Sequence, residues 1–263
     1  MSGIENTFQL FGLTIHYYGV IMACAILIAL CLCLALFPKH GLKRELVLDI
    51  AIWAVPLGIV GARLFYVLFS GYSYSFVEAL QIWNGGLSIF GAISFGALGV
   101  FIACKIKKVS FLRVADCIVP ALIFAQALGR WGNFFNQEAY GPLITNPKFQ
   151  WFPFGVKIDT VLGAQWHCAT FFYESLWNII GLVILLILFF KVLNENRVGL
   201  VASVYLMWYG LGRFIIEMLR QDPLIIFGTI KFSMWFAFCV FLIGASLLIY
   251  ILVKNKKRGK KNV

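Results

Sequence analysis

IHYYGVIMACAILIALCLCLALF, residues 15–37, contains no Asp, Glu, Lys or Arg in 23 positions. At about 1.5 Å per helical residue such a run crosses roughly 30 Å of hydrocarbon, so it predicts a transmembrane helix. Six further runs of this kind lie at 46–69, 86–104, 114–132, 172–190, 199–217 and 232–253. The fourth leads directly into a polar motif. Long runs without even-spaced alternation exclude a transmembrane barrel, so the sequence predicts an all-α polytopic membrane protein of about seven helices. It is read as one integral membrane domain over 1–263, with a loop region at 133–171 after the fourth span.

Composition agrees. The 263 residues are 62% hydrophobic and 13% charged, with mean hydropathy +0.90, whereas soluble domains carry about 25% charge. Disorder, collagen and coiled coil are excluded by the same figures. The net charge of +11 would suggest a nucleic-acid binder in a soluble protein; here it signals loops sorted by the positive-inside rule, and no nucleic-acid partner is expected. Of 22 basic residues, 15 fall in linkers 38–45, 105–113 and 191–198 and in the tail 254–263. The segment before the first span and the linker 70–85 hold none. The amino terminus is therefore expected outside and the basic tail in the cytoplasm. No basic region precedes the first span, which is expected to stay in the mature protein.

Six of the seven cysteines (Cys24, Cys31, Cys33, Cys104, Cys117, Cys239) lie in apolar runs and only Cys168 in a polar stretch, so no disulfide framework is implied. Three histidines, no HExxH or CxxC spacing and no glycine-rich nucleotide loop imply neither metal nor cofactor.

The seven other basic residues, Arg63, Arg130, Lys148, Lys157, Arg213, Arg220 and Lys231, oppose the topological rule, and Glu138, Asp159, Glu174, Glu217 and Asp222 lie near them in sequence. Ionisable groups at membrane depth mark candidate sites. The densest group is GRWGNFFNQEAYG, 129–141. On a helix, Arg130, Asn133 and Gln137 share a face, and a guanidinium fork with neutral amides suits a phosphate. A polar helix end with Arg130 paired to Glu138 is the structural alternative. In GLGRFIIEMLRQD, 210–222, Arg213, Glu217 and Arg220 form an Arg–Glu–Arg ladder on one face. One carboxylate cannot neutralise two guanidinium groups, which calls for an anion such as a lipid phosphate; a structural ion-pair network is the alternative. Arg63 with Tyr66, the segment HCATFFYES at 167–175, and Tyr18 beside Gly19 are smaller groups. Small residues along 88–103 predict a helix-packing face. Trp151, Phe152, Phe154 and Trp166 suit either headgroup level or a lipid entry path.

At these residues the chain resembles the prolipoprotein diacylglyceryl transferases, bacterial inner-membrane enzymes of lipoprotein maturation. GRWGNFFNQEAYG matches the family pattern G-R-x-G-N-F-x-N-x-E-x-x-G at each fixed position. Similarity continues in YYG at 17–19, GARLFY at 61–66, WNGGLSIFG at 83–91, TFFYESLWN at 170–178 and GRFIIEMLRQD at 212–222. The resemblance implies transfer of diacylglyceryl from phosphatidylglycerol to the lipobox cysteine thiol of a preprolipoprotein, forming a thioether and releasing glycerol phosphate. Implied partners are phosphatidylglycerol, the preprolipoprotein signal peptide and membrane lipids. It assigns Arg130, Asn133 and Asn136 to the headgroup, Arg213 to the leaving phosphate and Glu217 to orienting Arg213. Glu138 holds Arg130 or takes the thiol proton. Gly141, Tyr18, Arg63, Tyr173 and Glu174 complete the substrate-binding set. One position departs: Phe90 stands where well-studied members carry His, and a phenyl ring accepts no proton. His167 is the substitute to consider. Two other readings stand beside the transferase. A non-catalytic lipid- or lipoprotein-binding relative is motivated by Phe90. A lipid or anion transporter would need polar inward half-spans and internal repeats, and neither is visible.

Overall fold

A computed structural model of the chain describes residues 6–11, 13–82, 86–160, 163–192, 197–220, 225–226 and 230–259. Among these, seven helices are long and apolar enough to cross a membrane: α1 (Tyr17–Lys39), α2 (Glu45–Phe69), α4 (Ile89–Ile106), α5 (Phe111–Phe135), α6 (Thr170–Val192), α7 (Leu200–Leu219) and α8 (Phe232–Gly259). A five-residue helix, α3 (Phe76–Leu80), starts at a capping box in which Ser75 Oγ accepts from the Glu78 N–H at 3.3 Å and Glu78 Oε2 accepts from the Ser75 N–H at 2.8 Å. Those bonds hold the Glu78 carboxyl below its ordinary pKa range. A short hairpin, β1 (Thr7–Leu10) with β2 (Leu13–His16), precedes α1.

The chain forms two compact units, Met1–Leu32 with Ala115–Val263, and Cys33–Val114. In the second unit, α2 and α4 approach closely enough that a Cβ on Gly99 would lie 2.6 Å from the Trp53 carbonyl oxygen. A Cβ on Gly91 would overlap the carbonyl of Gly61. The small residues of α4 are thus a packing face: without side chains the two backbones meet directly, which replaces the hydrophobic drive absent between helices in lipid.

In the first unit, α6 and α7 interlock through two tryptophans. Trp177 and Trp208 stack with centroids 4.3 Å apart. Each indole also donates to the other's carbonyl, Trp177 Nε1 to Trp208 O at 3.2 Å and Trp208 Nε1 to Trp177 O at 3.1 Å. Gly181 leaves the room that Trp208 fills, and Gly212 the room that Trp177 fills. At the start of α7, Gly199 adopts φ 93°, and Asp116 of α5 accepts the N–H groups of Gly199 and Ala202 at 2.5 and 2.8 Å. A carboxylate from one helix thereby caps the exposed N–H groups of another.

Three expected boundaries differ. The fourth run, expected to end at 132, stays helical to Phe135, so Arg130 and Asn133 sit inside the last turns of α5. The basic tail expected from 254 continues α8 to Gly259. The expected loop 133–171 contains a hairpin, β3 (Gly155–Thr160) and β4 (Gly163–Cys168). Its signal is a brief alternation: Val156 and Ile158 are buried while Lys157 and Asp159 face out. The inward residues pack with Ala169 and Phe171, tying the hairpin to the start of α6.

Gly212→Ala places a methyl group against the Trp177 indole. It is expected to cost about 1–3 kcal/mol through overpacking, read as a lowered Tm in detergent. Gly163→Ala, which opens onto empty space at φ 97°, leaves the α6–α7 contact intact and serves as a control for backbone strain alone.

Candidate active site

Arg130 lies near the carboxyl end of α5, Glu174 in the first turns of α6, Arg213 and Glu217 in the last turns of α7, and Ser233 at the start of α8. These helices alternate in direction, so their polar residues gather at one end of the first unit. Glu174 is the link. Its Oε1 lies 2.9 Å from Arg130 Nη2 and its Oε2 3.4 Å from Arg213 Nη1. Arg213 continues to Glu217 through Nη2 at 2.7 Å, and Glu217 also meets Arg220 Nη1 at 3.5 Å and accepts from Ser233 Oγ at 2.6 Å. The Arg213–Glu217–Arg220 ladder expected from spacing therefore forms, and a second carboxylate joins it. Glu217 is fully buried and Glu174 nearly so, while Arg130, with 21% of its side chain exposed, is the most open of the three arginines. Each carboxylate is divided between two guanidinium groups, so Arg130 is left with less than one full counter-charge.

On its other side Arg130 meets neutral amides. With the Asn133 oxygen turned toward it, Arg130 Nη1 donates at 3.1 Å, and the Asn133 amide then donates to Glu138 Oε1 at 3.3 Å. Asn136 Nδ2 donates to the same Glu138 oxygen at 3.4 Å. Glu138, expected to hold Arg130, instead gathers the two asparagines, and Glu174 takes the arginine. Gln137 also leaves the expected helical face. Its φ is +50°, and its amide turns to Asp159.

Tyr18 packs its ring on Gly132, where a Cβ would come within 2.6 Å, and lies in the electrostatic reach of Glu138 and Arg130. The glycine of the motif thus makes room for the tyrosine. Gly141 has a packing reason of its own, since a Cβ there would lie 2.8 Å from Cys168 Cβ. Tyr173 donates its hydroxyl to the Phe154 carbonyl at 2.5 Å. His167, considered as a base, has its Nδ1 against the Gly141 carbonyl at 2.9 Å and its ring edge-on to Tyr140. It is buried and joins the end of the motif to β4. Burial raises the pKa of the neighbouring Cys168 thiol, which favours its protonated form.

Arg63 belongs to the second unit. It is buried, and it donates to the carbonyls of Ala79, Gly86 and Glu78 at 2.9, 3.1 and 2.7 Å, between the rings of Tyr66 and Tyr74. Its place against the topological rule is explained by those carbonyls: Ala79 and Glu78 lie in the last turn of α3, whose end leaves acceptors unsatisfied. A cavity of about 440 Å³ opens beside it, lined by Tyr66, Tyr72, Tyr74 and Glu78. Lys157 stacks on Trp166. Phe90 is the second residue of α4, also in the second unit. Trp83, Asn84, Gly85 and Asp222 lie outside the described residues, and so does the side chain of Lys231.

Two contributors escaped sequence reasoning. Ser233 is one hydroxyl in an apolar run. Tyr209, half-buried and within electrostatic reach of Glu174, Arg130, Arg213 and Glu217, precedes Arg213 by four residues, a spacing that does extend the ladder's face.

The model of the prolipoprotein diacylglyceryl transferase family matches residues 5–250. A phosphatidylglycerol–prolipoprotein diacylglyceryl transferase 1 of Clostridium perfringens is 39% identical over 254 residues, covering 96% of each chain. The corresponding transferase of Listeria innocua is 38% identical over 94% of this chain and 89% of its own. That of Streptococcus pneumoniae strain Hungary19A-6 is 38% identical over 95% of this chain and 94% of its own.

Glu174→Gln leaves two guanidinium groups facing each other with no shared carboxylate. Breaking a buried pair typically costs about 3–5 kcal/mol, whereas Ser233→Ala removes one hydrogen bond worth about 1 kcal/mol. Thermal unfolding in detergent is expected to rank Glu174→Gln well below Ser233→Ala, and both below the parent protein.

Proposed function

The chain belongs to the prolipoprotein diacylglyceryl transferase family, and we propose that the Arg130–Glu174–Arg213–Glu217 ladder is where it transfers diacylglyceryl from phosphatidylglycerol to the cysteine thiol of a preprolipoprotein. It is a multi-pass membrane enzyme, with its seven apolar helices in the bilayer. With the basic linkers in the cytoplasm, the ladder faces the outer side of the inner membrane, where a lipobox peptide arrives.

The single observation that carries the assignment is the shared Glu174 carboxylate, which holds two guanidinium groups side by side and leaves the more exposed one, Arg130, only partly compensated. An anionic lipid phosphate completes that charge balance. In the reaction the sulfur attacks the glyceryl carbon that bears the phosphate ester. A C–S bond forms, the C–O bond breaks, and its electron pair leaves on glycerol phosphate. Negative charge grows on that phosphate, so fixed guanidinium groups stabilise the transition state more than the ground state. Arg130 with Asn133 and Asn136 takes the headgroup, Arg213 meets the leaving phosphate, and Glu217 with Ser233 fixes the angle of Arg213. Tyr18, Gly141, Tyr173 and Glu174 complete the substrate-binding set, and Arg63 supports the second unit through backbone carbonyls. The thiol, whose ordinary pKa is about 8.5, reacts as thiolate. The positive field of the ladder lowers that pKa, and Glu138, whose second oxygen has no partner among the described residues, is the acceptor for the proton. Phe90 has no part in proton transfer.

Clustering at one end of the helices, with no charged path along them among the described residues, supports a surface reaction over transport.

Membranes containing the protein are expected to convert a lipobox peptide to its diacylglyceryl thioether when phosphatidylglycerol is supplied. Arg130→Ala is expected to reduce the rate by about 10²–10³ with the protein still inserted. Absence of product from the parent protein, alongside an active control enzyme, would refute the assignment.

A further inference from the structure

Glu138 gathers Asn133 and Asn136, yet it is itself exposed, and its side chain has no other partner among the described residues. Its backbone N–H donates to the Asn133 carbonyl at 3.0 Å, and the residues on either side complete its placement. Both neighbours have left-handed backbone without being glycine, Gln137 at φ +50° and Ala139 at φ +56°. Such a conformation persists where surrounding contacts hold it. Ala139 is held through its carbonyl, which accepts from Thr170 Oγ1 at 2.5 Å. Gln137 is the left-handed residue of the cap that ends α5, where its N–H donates to the Phe134 carbonyl at 3.1 Å and the Glu138 N–H donates to the Asn133 carbonyl. Its side chain adds a tie to β3. Its Oε1 accepts from the Asp159 N–H at 2.7 Å and its Nε2 donates to Asp159 Oδ2 at 3.3 Å.

This two-point fit suits a carboxamide alone. One terminal group must offer an acceptor to a backbone N–H and a donor to a carboxylate side by side, and Asp159 presents that pair on β3, one register step from the hairpin turn. Glutamate would set two carboxylates against each other; alanine would offer neither bond. Gln137 sits at a variable position of the motif, so the clamp is not part of the pattern that defines the family.

We propose that Gln137 and Asp159 form a positioning clamp through which the β3–β4 hairpin sets Glu138, and with it the two asparagine amides, for the phosphatidylglycerol headgroup. Gln137 touches no substrate and acts through Glu138. The proposal rests on the reading of Asn133, Asn136 and Arg130 as the headgroup contact.

The test is steady-state transfer to a lipobox peptide in proteoliposomes of varied phosphatidylglycerol content. Gln137→Ala and Gln137→Glu are each expected to raise KM for phosphatidylglycerol by about fivefold or more, the value of one lost hydrogen bond; because Glu138 also takes the thiol proton, kcat is expected to fall as well. Gln137→Glu combined with Asp159→Asn recreates a donor facing an acceptor and keeps the acceptor for the 159 N–H. It is expected to bring KM back to within about twofold of the parent. Asp159→Asn alone, whose amide oxygen still accepts from Gln137, should stay near the parent. An unmoved KM in both single variants, a loss confined to kcat or to the amount of folded protein, or a double variant no better than Gln137→Glu would overturn the proposal. Gln137→Ala introduces no repulsion and keeps the test open if Gln137→Glu fails to fold. A parent protein that makes no thioether would instead strike the transferase reading itself.

Discussion

One carboxylate shared between two guanidinium groups governs the first unit. Glu174 lies between Arg130 and Arg213, so α6 is tied to α5 on one side and to α7 on the other. Isolated charges are expensive in a medium with little water, and a half-compensated arginine more so than a fully paired one. The arrangement is therefore stable only if its geometry is rigid, and the surrounding structure supplies rigidity at both ends of α7. Asp116 fixes the start of the helix, Glu217 with Ser233 fixes its end against α8, and the stacked tryptophans fix its rotation against α6. Rigid positive charge set in a polar pocket is also what a leaving phosphate requires, because donors already in place need not reorganise as charge develops.

The same residues show how far a sequence alone reveals such a protein. Apolar runs fix the helices because lipid leaves the backbone no other way to satisfy its hydrogen bonds, and the Arg213–Glu217–Arg220 ladder follows from spacing on one helix. What spacing does not carry is choice of partner across helices. Glu138 is the acidic residue closest in sequence to Arg130, yet Glu174, 44 positions away, takes it. That outcome depends on helix direction and packing, to which local sequence is blind. Gln137 turns from its helical face because it is the left-handed residue of the cap that ends α5; what local sequence hides is the bond of its amide to Asp159 on a distant strand.

Arg63 illustrates the converse. Its place against the charge rule marks it as a candidate site residue, and its buried guanidinium satisfies carbonyls at the end of a short helix. The hairpin that carries Asp159 leaves little trace in the sequence because its alternation lasts only a few residues, too few to stand out inside a loop rich in aromatic rings. Both cases involve backbone groups seeking partners, a demand that side-chain patterns do not record.

The tryptophan pair has a consequence for how the ladder can move. Each indole occupies a notch left by a glycine on the opposite helix, so α6 and α7 mesh like two cog teeth. A slip by less than a full turn drives an indole into a side chain. One turn away, about 5.4 Å, neither helix offers another glycine, and Glu174 and Arg213 would no longer meet. The pairing is therefore digital: engaged or lost, with no slackened state between, and a lipid arriving from the bilayer meets a charge pattern that cannot drift.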